Sequence, residues 1–362
     1  MPKALEDIQT LGEIMRAAHN KLSKSHWDYL AGGAETETTL LRNRQSIEKI
    51  AFRPRVLNDV SSIDTSAEFL GQKRRLPIVL APIGSAEQLD QEGMLPAAQA
   101  AANFGVGIFK SSVAIPDIEE AAEKSGAQLI FQLYVRGDED WINERVDRVE
   151  AAGYAGFCLT VDSAYYGRRE RDKVKSFKPA QRSHVSGTNY QAALNWSVVE
   201  RLRRKTKLPL VLKGIATAED AKIAVEHGTD VIYISNHGGR QLDHGRGSIE
   251  VLPEIVDAVG DQAKVIVDGG FYHGTDILKA IALGADAVGL GRLYGYGLSA
   301  FGEAGVMRVL EILEEEITCT MALLGITALD QLTSKHLHST TPINKPIPNS
   351  PFHLFDVDDG PY

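Results

Sequence analysis

The residues best suited to chemistry stand together in one stretch, Ser235-Asn-His-Gly-Gly-Arg-Gln-Leu-Asp243, directly after an apolar run that begins at Val231. Such a run is typical of a buried parallel strand. His237 can accept a proton near neutral pH, and Arg240 can hold a carboxylate with paired hydrogen bonds. A proton acceptor beside an anion clamp suits a substrate that carries a carboxylate and must lose a proton. The alternative is a capped strand end with two solvated charges, which fits a lone histidine better than this long, specific pattern.

Polar or small residues also end the other apolar runs of the chain. Lys213 is hard to explain by packing, because a lysine that ends an apolar run is costly unless it is paired. Asp162 could cap a loop, or it could accept the ring N–H of His237 as carboxylates do in catalytic triads. Arg169 and Arg240 could instead form surface ion pairs. The other candidates at these positions are Pro82, Ile83, Gly84, Ser111, Gln132, Tyr134, Thr160, Ser235, Asp268, Gly269, Gly270, Gly291 and Arg292.

The elements that position these residues recur eight times from about residue 76, each as a β-rich run and then a helical pattern. The predicted strands are 76–82, 106–111, 128–135, 156–162, 208–214, 231–236, 264–269 and 287–291. Eight such units predict an α/β fold, a closed (β/α)8 TIM barrel, whose strands all end at one catalytic face. A doubly wound open sheet is the alternative, but the segment Ala81-Pro-Ile-Gly-Ser85 lacks the Gly-x-Gly-x-x-Gly turn expected there. Singly, Ser111, Gln132 and Thr160 could be polar groups bonded to one another inside the barrel.

We predict a single domain with an N-terminal helical segment (1–75), the barrel (76–336) and a C-terminal tail (337–362). The helical patterns are 5–18, 25–34, 35–49, 115–124, 140–152, 217–227, 249–259, 275–283 and 304–324, with an extended stretch at 52–57. Tyr29 is explained, from its local sequence alone, by packing in a helix. The connection 172–196 is long and basic, and a surface loop and a lid over the catalytic face explain it equally well. The Pro- and Asn-rich tail should wrap the surface or a neighbouring subunit, or be partly disordered.

Composition excludes several classes of protein. The chain has 362 residues, 43% of them hydrophobic, and a net charge of −9, which fits an ordinary globular protein and not a nucleic-acid binder. Cys158 and Cys319 are far apart and form no metal-ligand spacing; they lie in an apolar strand and a helix, so packing is predicted for both. No signal peptide, membrane segment or peroxisomal address is visible, which predicts a cytoplasmic protein.

In the order and type of its motifs, the chain resembles the FMN-dependent α-hydroxy-acid oxidase and dehydrogenase family. This family includes glycolate oxidase, lactate oxidase, lactate monooxygenase and mandelate dehydrogenase. The resemblance runs from about residue 27 to about residue 336, and Ser-Asn-His-Gly-Gly-Arg-Gln-Leu-Asp is its most specific part. The supporting motifs are Phe52-Arg-Pro-Arg, Ala81-Pro, Gln132-Leu-Tyr, Leu159-Thr-Val-Asp, Gly167-Arg-Arg-Glu, Val211-Leu-Lys-Gly and Asp268-Gly-Gly.

The resemblance implies a catalytic role for each matching residue. His237 would take the proton of the substrate α-hydroxyl while the α-hydrogen leaves as a hydride to flavin N5, and a carbanion route stays open. Asp162 would support the imidazolium. The substrate carboxylate would be held by Arg169 and Arg240, and the side chains that offer hydroxyls to the substrate would be Tyr29 and Tyr134.

The resemblance also implies an FMN site. Lys213 would lie near flavin N1, where negative charge develops on reduction. The other cofactor-binding residues would be Ser111, Gln132, Thr160 and Ser235 around the ring, Pro82, Ile83 and Gly84 behind it, Asp268, Gly269 and Gly270 on the ribityl chain, and Gly291 and Arg292 on the phosphate. Several positions depart from the family pattern. Tyr165 and Tyr166 replace the residues usually found between Thr-Val-Asp and Gly-Arg-Arg. Tyr272 stands where the family usually has a phosphate-binding arginine, Val113 where glycolate oxidase has a tryptophan, and Gly84 where many oxidases have alanine.

The resulting hypothesis is an FMN-dependent oxidase that converts a small L-2-hydroxy acid to its 2-oxo acid, with molecular oxygen as acceptor and hydrogen peroxide as product. A quinone-linked dehydrogenase and a lactate-monooxygenase-like oxidative decarboxylation are the alternatives. A non-redox FMN barrel such as an isomerase, and a flavin-free binding protein, are further ones. The family is usually tetrameric, so the resemblance implies a homotetramer.

Overall fold

Eight parallel strands close into a barrel in the computed structural model, which describes residues 4–178 and 189–342. The barrel strands are Ile78–Leu80, Gly107–Ser111, Leu129–Leu133, Gly156–Thr160, Leu210–Ile215, Val231–Ile234, Lys264–Asp268 and Ala287–Leu290. The eighth strand pairs with the first, with Val288 opposite Ile78, so the sheet has no open edge. The predicted (β/α)8 barrel is therefore confirmed, and the open doubly wound sheet is excluded.

Helices surround the barrel and bury their apolar faces against the outside of the strands. Those between and after the barrel strands are Leu95–Phe104, Ile118–Ser125, Glu139–Ala151, Glu170–Val174, Trp196–Lys205, Ala218–Glu226, Ser248–Val259, Gly274–Ala282 and Arg292–Leu324. The N-terminal segment contributes Leu11–Lys21, Lys24–Ala31 and Thr38–Glu48. These three helices lie before the barrel in the chain, as predicted.

Strict alternation along the strands separates two environments. Val79, Phe109, Ile130, Val211 and Ile266 point into the barrel and form its own apolar cluster. Because side chains alternate along a strand, the residue two positions after each of these also points into the barrel. Over the eight strands, those next residues are Ala81, Ser111, Gln132, Thr160, Lys213, Ser235, Asp268 and Gly289. A mainly polar layer therefore lies above an apolar one at the catalytic end.

Two short antiparallel pairs complete the described fold. The hairpin Ala67–Phe69 with Gln72–Arg74 places Phe69 in the apolar cluster inside the barrel. The strand Leu337–Ser339 pairs with Ile50–Phe52 of the N-terminal segment. Of the stretch predicted to be extended at 52–57, Phe52 lies in this strand, whereas Leu57 has a φ of +62° and is not extended. The chain after residue 336 begins as a strand.

Several predicted boundaries are wrong for identifiable reasons. The pattern at 5–18 contains a short 3-10 turn, Leu5–Asp7, and a separate helix that starts at Leu11, because Thr10 caps it through the amide of Glu13. The helix predicted at 304–324 is present, and the helical part that precedes it from Arg292 was not predicted, because it contains Gly295 and Gly297. A kink at Phe301 and Gly302 separates the two parts. The helix predicted to start at 115 starts at Ile118, since Pro116 biases its predecessor away from helix.

The two cysteines differ in environment. Cys158 is buried inside the barrel, and burial raises the pKa of its thiol, as a packing role requires. Cys319 is exposed, so the prediction of packing for this residue is wrong. Within the connection 172–196, helix Glu170–Val174 and the 3-10 turn Tyr190–Ala193 are present, whereas residues 179–188 lie outside the described residues. Most of the predicted tail, residues 343–362, also lies outside them.

A buried ion pair joins the N-terminal segment to the barrel. Arg44 donates to both carboxylate oxygens of Asp276 over 2.6 and 2.8 Å and to the carbonyl of Gly270 over 2.8 Å. Asp276 also accepts the backbone N–H groups of Tyr272 and His273. Burial alone would raise the pKa of Asp276, but Arg44 outweighs it, so this pKa lies below its ordinary value.

We expect Arg44→Met to lower the free energy of unfolding by about 3–5 kcal/mol at neutral pH, because it leaves the buried carboxylate of Asp276 without its counter-ion. A carboxylate whose pKa is lower in the folded state stabilises the fold at any pH above its pKa in the unfolded chain. This contribution is lost as the pH falls toward the folded-state pKa. The difference between wild type and variant, measured by urea unfolding, should therefore shrink as the pH falls below about 4. Arg204→Met, which removes an exposed arginine, is the control. A difference under about 1 kcal/mol at pH 7 would contradict this assignment.

Candidate active site

The carboxyl ends of the barrel strands surround a cavity with about 1110 Å³ of empty space, its open mouth included. The predicted site residues that line it are Tyr29, Pro82, Ile83, Gly84, Tyr134, Arg169, Lys213, His237, Arg240, Asp268, Gly269, Gly270, Gly291 and Arg292. The other predicted residues, Ser111, Gln132, Thr160, Asp162 and Ser235, lie behind this lining. The structure therefore brings the predicted residues of all eight strand ends and of the N-terminal segment to one place.

A histidine and a carboxylate form the centre of the site. The Nδ1 atom of His237 lies 3.1 Å from both carboxylate oxygens of Asp162, and its Nε2 atom lies 2.9 Å from the hydroxyl of Tyr134. With the proton on Nδ1 facing Asp162, Nε2 accepts a hydrogen bond from Tyr134. The lone pair of Nε2, which here accepts from Tyr134, is thus on the side of the imidazole away from Asp162, where a general base needs it.

The environment of the dyad keeps His237 neutral and Tyr134 protonated. Burial lowers the pKa of His237, and the positive charges of Lys213 and Arg169 lower it further, against the opposing effect of Asp162. Burial also raises the pKa of Tyr134 above its ordinary value. The pKa of Asp162 is lowered although burial opposes this, because His237 and Lys213 outweigh the burial. A neutral imidazole with a carboxylate behind it is ready to accept a proton.

Two guanidinium groups and a tyrosine form one wall of the cavity. Arg240 lies over the ring of Tyr29 at 5.1 Å, and Arg169 lies over the same ring at 5.9 Å. The Tyr29 hydroxyl donates to the carbonyl of Gly84 over 2.7 Å. The pKa of Arg240 is well below its ordinary value, through burial first and then through the charges of Arg169 and Arg292. This crowding of positive charge favours the binding of an anion.

A second ion pair lies in the polar layer of the barrel. The Nζ atom of Lys213 is 2.8 Å from the hydroxyl of Ser235 and 3.4 Å from Asp268, and Ser235 donates to Asp268 over 2.7 Å. Burial lowers the pKa of Lys213, but Asp268 and Asp162 outweigh it and raise the pKa above its ordinary value. Lys213 therefore stays charged, and its positive charge faces the cavity that it lines.

The remaining predicted side chains are held beside this pair. The Nε2 atom of Gln132 donates to the hydroxyl of Thr160 over 2.8 Å, and the hydroxyl of Ser111 accepts from the amide of Val113 over 3.4 Å. The Oε1 atom of Gln132 is buried and has no hydrogen-bond partner among the described residues. A buried acceptor of this kind calls for a donor from outside the chain.

At the other end of the cavity the backbone is open. A Cβ atom added at Gly291 would meet no heavy atom within 4 Å. Arg292 begins the helix that follows, and the start of a helix favours a negatively charged group. The guanidinium of Arg292 donates to the carbonyls of Ala31 and Gly32. Tyr272 lines this part of the cavity as well.

Sequence reasoning missed several lining residues, among them the polar side chains of Ser85, Arg136, Ser163 and Gln241. Arg136 follows Tyr134 by two positions, so the alternation that selected Gln132 and Tyr134 could have found it. Gln241 belongs to the central motif; it accepts the amide of Gly167 and donates to the carbonyl of Asp162, so it joins the two loops of the site. Ser163 had no signal beyond its position directly after Asp162.

Comparison with known proteins agrees with this geometry. Residues 18–339 match the model of a family described as FMN-dependent dehydrogenase. The chain belongs to this family. It is 40% identical to an L-lactate oxidase from a Nostoc species, over 92% of this chain and 99% of the relative, and 40% identical to a peroxisomal (S)-2-hydroxyacid oxidase of Arabidopsis thaliana, over 92% and 98%. A mandelate oxidase structure superimposes with a TM-score of 0.86 at 38% identity, covering 93% of this chain and all of the other.

The cofactor of this family is FMN, and the residues present fit it. The unpartnered Oε1 of Gln132 suits a ring N–H, and Lys213 brings a positive charge to the same end of the cavity. The open backbone at Gly291 beside a helix start suits the phosphate. In residues 4–178 and 189–342, no group of three or more His, Cys, Asp or Glu side chains could hold a metal ion, and no helix could cross a membrane.

The wall beside Gly84 gives a test of packing. A Cβ atom at Gly84 would lie 2.7 Å from Cγ2 of Val113, so alanine and valine cannot both keep their places there. We expect Gly84→Ala to lower the free energy of unfolding by about 1–3 kcal/mol, since the side chain of valine is stiff. Val113→Ala removes the obstructing methyl groups, so the double variant should be more stable than the sum of the single effects predicts. Unfolding of all four FMN-loaded proteins measures this, and strictly additive energies would show that the two residues do not collide.

Proposed function

We propose that this protein oxidises an (S)-2-hydroxy acid to the 2-oxo acid and passes the electrons to molecular oxygen, forming hydrogen peroxide. The observation that carries the proposal is the position of the His237–Asp162 dyad in the same cavity as Arg169 and Arg240. A base and a paired cation clamp in one cavity suit a substrate with a hydroxyl beside a carboxylate. The names of the relatives, lactate oxidase and (S)-2-hydroxyacid oxidase, support the choice of oxygen.

In the proposed mechanism the substrate binds first. Arg169 and Arg240 hold the substrate carboxylate, and the hydroxyls of Tyr29 and Tyr134 orient the substrate. Both arginines already lie over the Tyr29 ring, so little side-chain freedom is lost when the carboxylate binds. The α-hydroxyl then displaces the Tyr134 hydroxyl from Nε2 of His237.

Proton transfer follows from the same geometry. Nε2 of His237 takes the hydroxyl proton, and the carboxylate of Asp162 stabilises the imidazolium through Nδ1–H. When bound, FMN supplies the acceptor for the hydride that leaves the α-carbon. Lys213 provides positive charge for the reduced ring, and Asp268 and Ser235 keep its ammonium in place.

Other parts of the proposal concern the flavin and the whole molecule. When FMN is bound, Ser111, Gln132, Thr160 and Ser235 would surround the ring and the backbone of Pro82–Gly84 would support it. Asp268 to Gly270 would bind the ribityl chain, and Gly291 with Arg292 would bind the phosphate. We also propose a homotetramer in the cytoplasm, with a single domain divided at residues 75 and 336.

An anaerobic titration tests the proposal directly. We expect one of L-lactate, glycolate or (S)-mandelate to bleach the flavin band at about 450 nm. Readmitted air should restore the band and release hydrogen peroxide. Restoration only by a quinone would assign a dehydrogenase, and a decarboxylated product would assign a monooxygenase. A flavin that no 2-hydroxy acid bleaches would refute the redox proposal.

The base gives a prediction with a definite pH direction. Because the pKa of His237 lies below its usual 6.5, the neutral, active form should persist through neutral pH, and kcat/KM should fall as the pH drops through that pKa. Asp162→Asn removes the group that raises this pKa, so the acid limb should move to lower pH, and flavin reduction should slow by up to about 10⁴-fold. Stopped-flow reduction across pH measures both effects. His237→Gln should keep FMN bound and lose reduction, and an acid limb unchanged in Asp162→Asn would speak against the dyad.

A further inference from the structure

A buried lysine lies on the outer face of a barrel strand. Lys110 belongs to the strand Gly107–Ser111, and because Phe109 points into the barrel, the side chain of Lys110 points outward. Lys110 is 1% exposed, and its Nζ atom lies 5.8 Å from the centre of the Phe131 ring. Burying an ammonium group costs free energy, so an apolar side chain is expected here unless the ammonium makes contacts that an apolar group cannot make.

The ammonium binds two backbone carbonyls of the turn that follows this strand. Nζ of Lys110 donates to the carbonyl of Ser111 over 3.0 Å and to the carbonyl of Ala114 over 2.9 Å. Hydrogen bonds from a charged donor are roughly twice as strong as bonds between neutral groups. One cation therefore ties the two ends of the turn 111–114 together.

Lys110 keeps its charge at neutral pH. Burial has the largest effect and lowers the pKa of Lys110 to about 8. The charged groups that face the lysine partly cancel, because Asp117 and Glu119 raise this pKa and Arg145 and Arg148 lower it. The ammonium form therefore predominates at pH 7, and the neutral amine predominates above about pH 8.

The turn 111–114 carries one wall of the cavity. Val113 lines the cavity, and its carbonyl accepts the amide of Ser85 over 2.7 Å. A Cβ atom at Gly84 would lie 2.7 Å from Cγ2 of Val113. The position of Val113 therefore sets how much space is left beside Gly84, and this position depends on the turn.

The same turn supports the strand end that carries Tyr134. The hydroxyl of Ser112 accepts the amide of Tyr134 over 3.0 Å, and the hydroxyl of Tyr134 lies 2.9 Å from Nε2 of His237. A displacement of the turn would therefore affect the cavity at two places, the wall at Val113 and the tyrosine beside the proposed base.

We propose that Lys110 is a positioning residue, whose ammonium holds the turn 111–114 and thereby fixes Val113 and Tyr134 at the wall of the cavity. The consequence for the substrate rests on the proposed function, whereas the consequence for the turn does not. The experiments below therefore include one that needs no substrate.

A double-mutant cycle with Gly84→Ala measures how firmly Val113 is held. Lys110 points to the outside of the barrel and Gly84 lines the cavity, so coupling between them has to pass through the turn. Lys110→Met keeps a flexible side chain and removes the ammonium. We expect Gly84→Ala to lower the urea midpoint of the FMN-loaded protein less in Lys110→Met than in the wild type, because the released turn lets Val113 move away. Lys124→Met, at an exposed lysine, is the control and should leave the effect of Gly84→Ala unchanged.

The pH dependence of the Gly84→Ala effect gives the same test without a change at Lys110. A neutral amine holds the two carbonyls less strongly than an ammonium does. The difference in urea midpoint between wild type and Gly84→Ala should therefore be smaller at pH 9 than at pH 7, and groups that titrate equally in both proteins cancel in this difference. A difference of the same size at both pH values overturns the proposal, as do strictly additive effects of Lys110→Met and Gly84→Ala.

Substrate binding gives a second readout. In anaerobic stopped-flow reduction we expect Lys110→Met to raise the dissociation constant of the hydroxy acid several-fold and to change the limiting rate of flavin reduction much less. A wall contact acts on the ground state and the transition state alike, so its loss weakens binding and not the chemical step. Lys110→Arg, which keeps a cation with several N–H donors, should recover part of the affinity.

The outcomes separate this proposal from the proposed function. If a 2-hydroxy acid reduces the flavin and its dissociation constant is the same in Lys110→Met and in the wild type, the positioning role is overturned and the proposed function stands. If none of the acids reduces the flavin, the proposed function fails, and the unfolding experiments alone decide whether Lys110 holds the turn.

Discussion

The site depends above all on the burial of an ammonium group at the mouth of the barrel. Lys213 has almost no contact with solvent, so its charge is tolerated only because Asp268 and Asp162 lie close to it. Ser235 bridges this pair and also accepts the backbone amide of His237 over 3.0 Å. The requirement to pair one charge therefore fixes the ends of the neighbouring strands relative to one another, and with them the base.

The proposed base, His237, is held in a backbone conformation that a histidine seldom adopts. His237 has φ of +59°, and the glycines after it also have positive φ, so the chain turns sharply as it leaves the strand. Room for the partner comes from Gly214, where a Cβ atom would lie 2.6 Å from Cβ of Asp162. Asp243 ends the motif and accepts hydrogen bonds from Thr36 and Thr39. Strain at His237 is thus compensated by contacts on both sides of the turn.

The periodic patterns of the sequence decide which parts of this site could be predicted. The eightfold rhythm predicted the barrel, and alternation placed Gln132 and Tyr134 correctly toward the site, since both depend on local patterns. The start of the last helix at Arg292 was missed because Gly295 and Gly297 have low helix propensity. The structure explains the glycine at 297, since a Cβ atom there would collide with the carbonyl of Gly305. Arg136 was missed because it lies beyond the end of the strand predicted at 128–135. The exposure of Cys319 was missed because a single helix position does not show whether another element packs against it.

Tyr29 shows what no local pattern can supply. Its own helix explains it by packing, and before the structure only the family resemblance predicted a place for it in the site. The structure shows that the N-terminal segment forms one wall of the cavity. The carbonyl of Gly32 accepts hydrogen bonds from both Arg240 and Arg292, over 2.8 Å each. The backbone of this segment therefore holds two of the cavity's cations in place against their mutual repulsion, in addition to the ring of Tyr29 beneath Arg240. A barrel without this segment would lose these contacts to the proposed anion clamp, so the first helices belong to the candidate active site as much as the strand ends do.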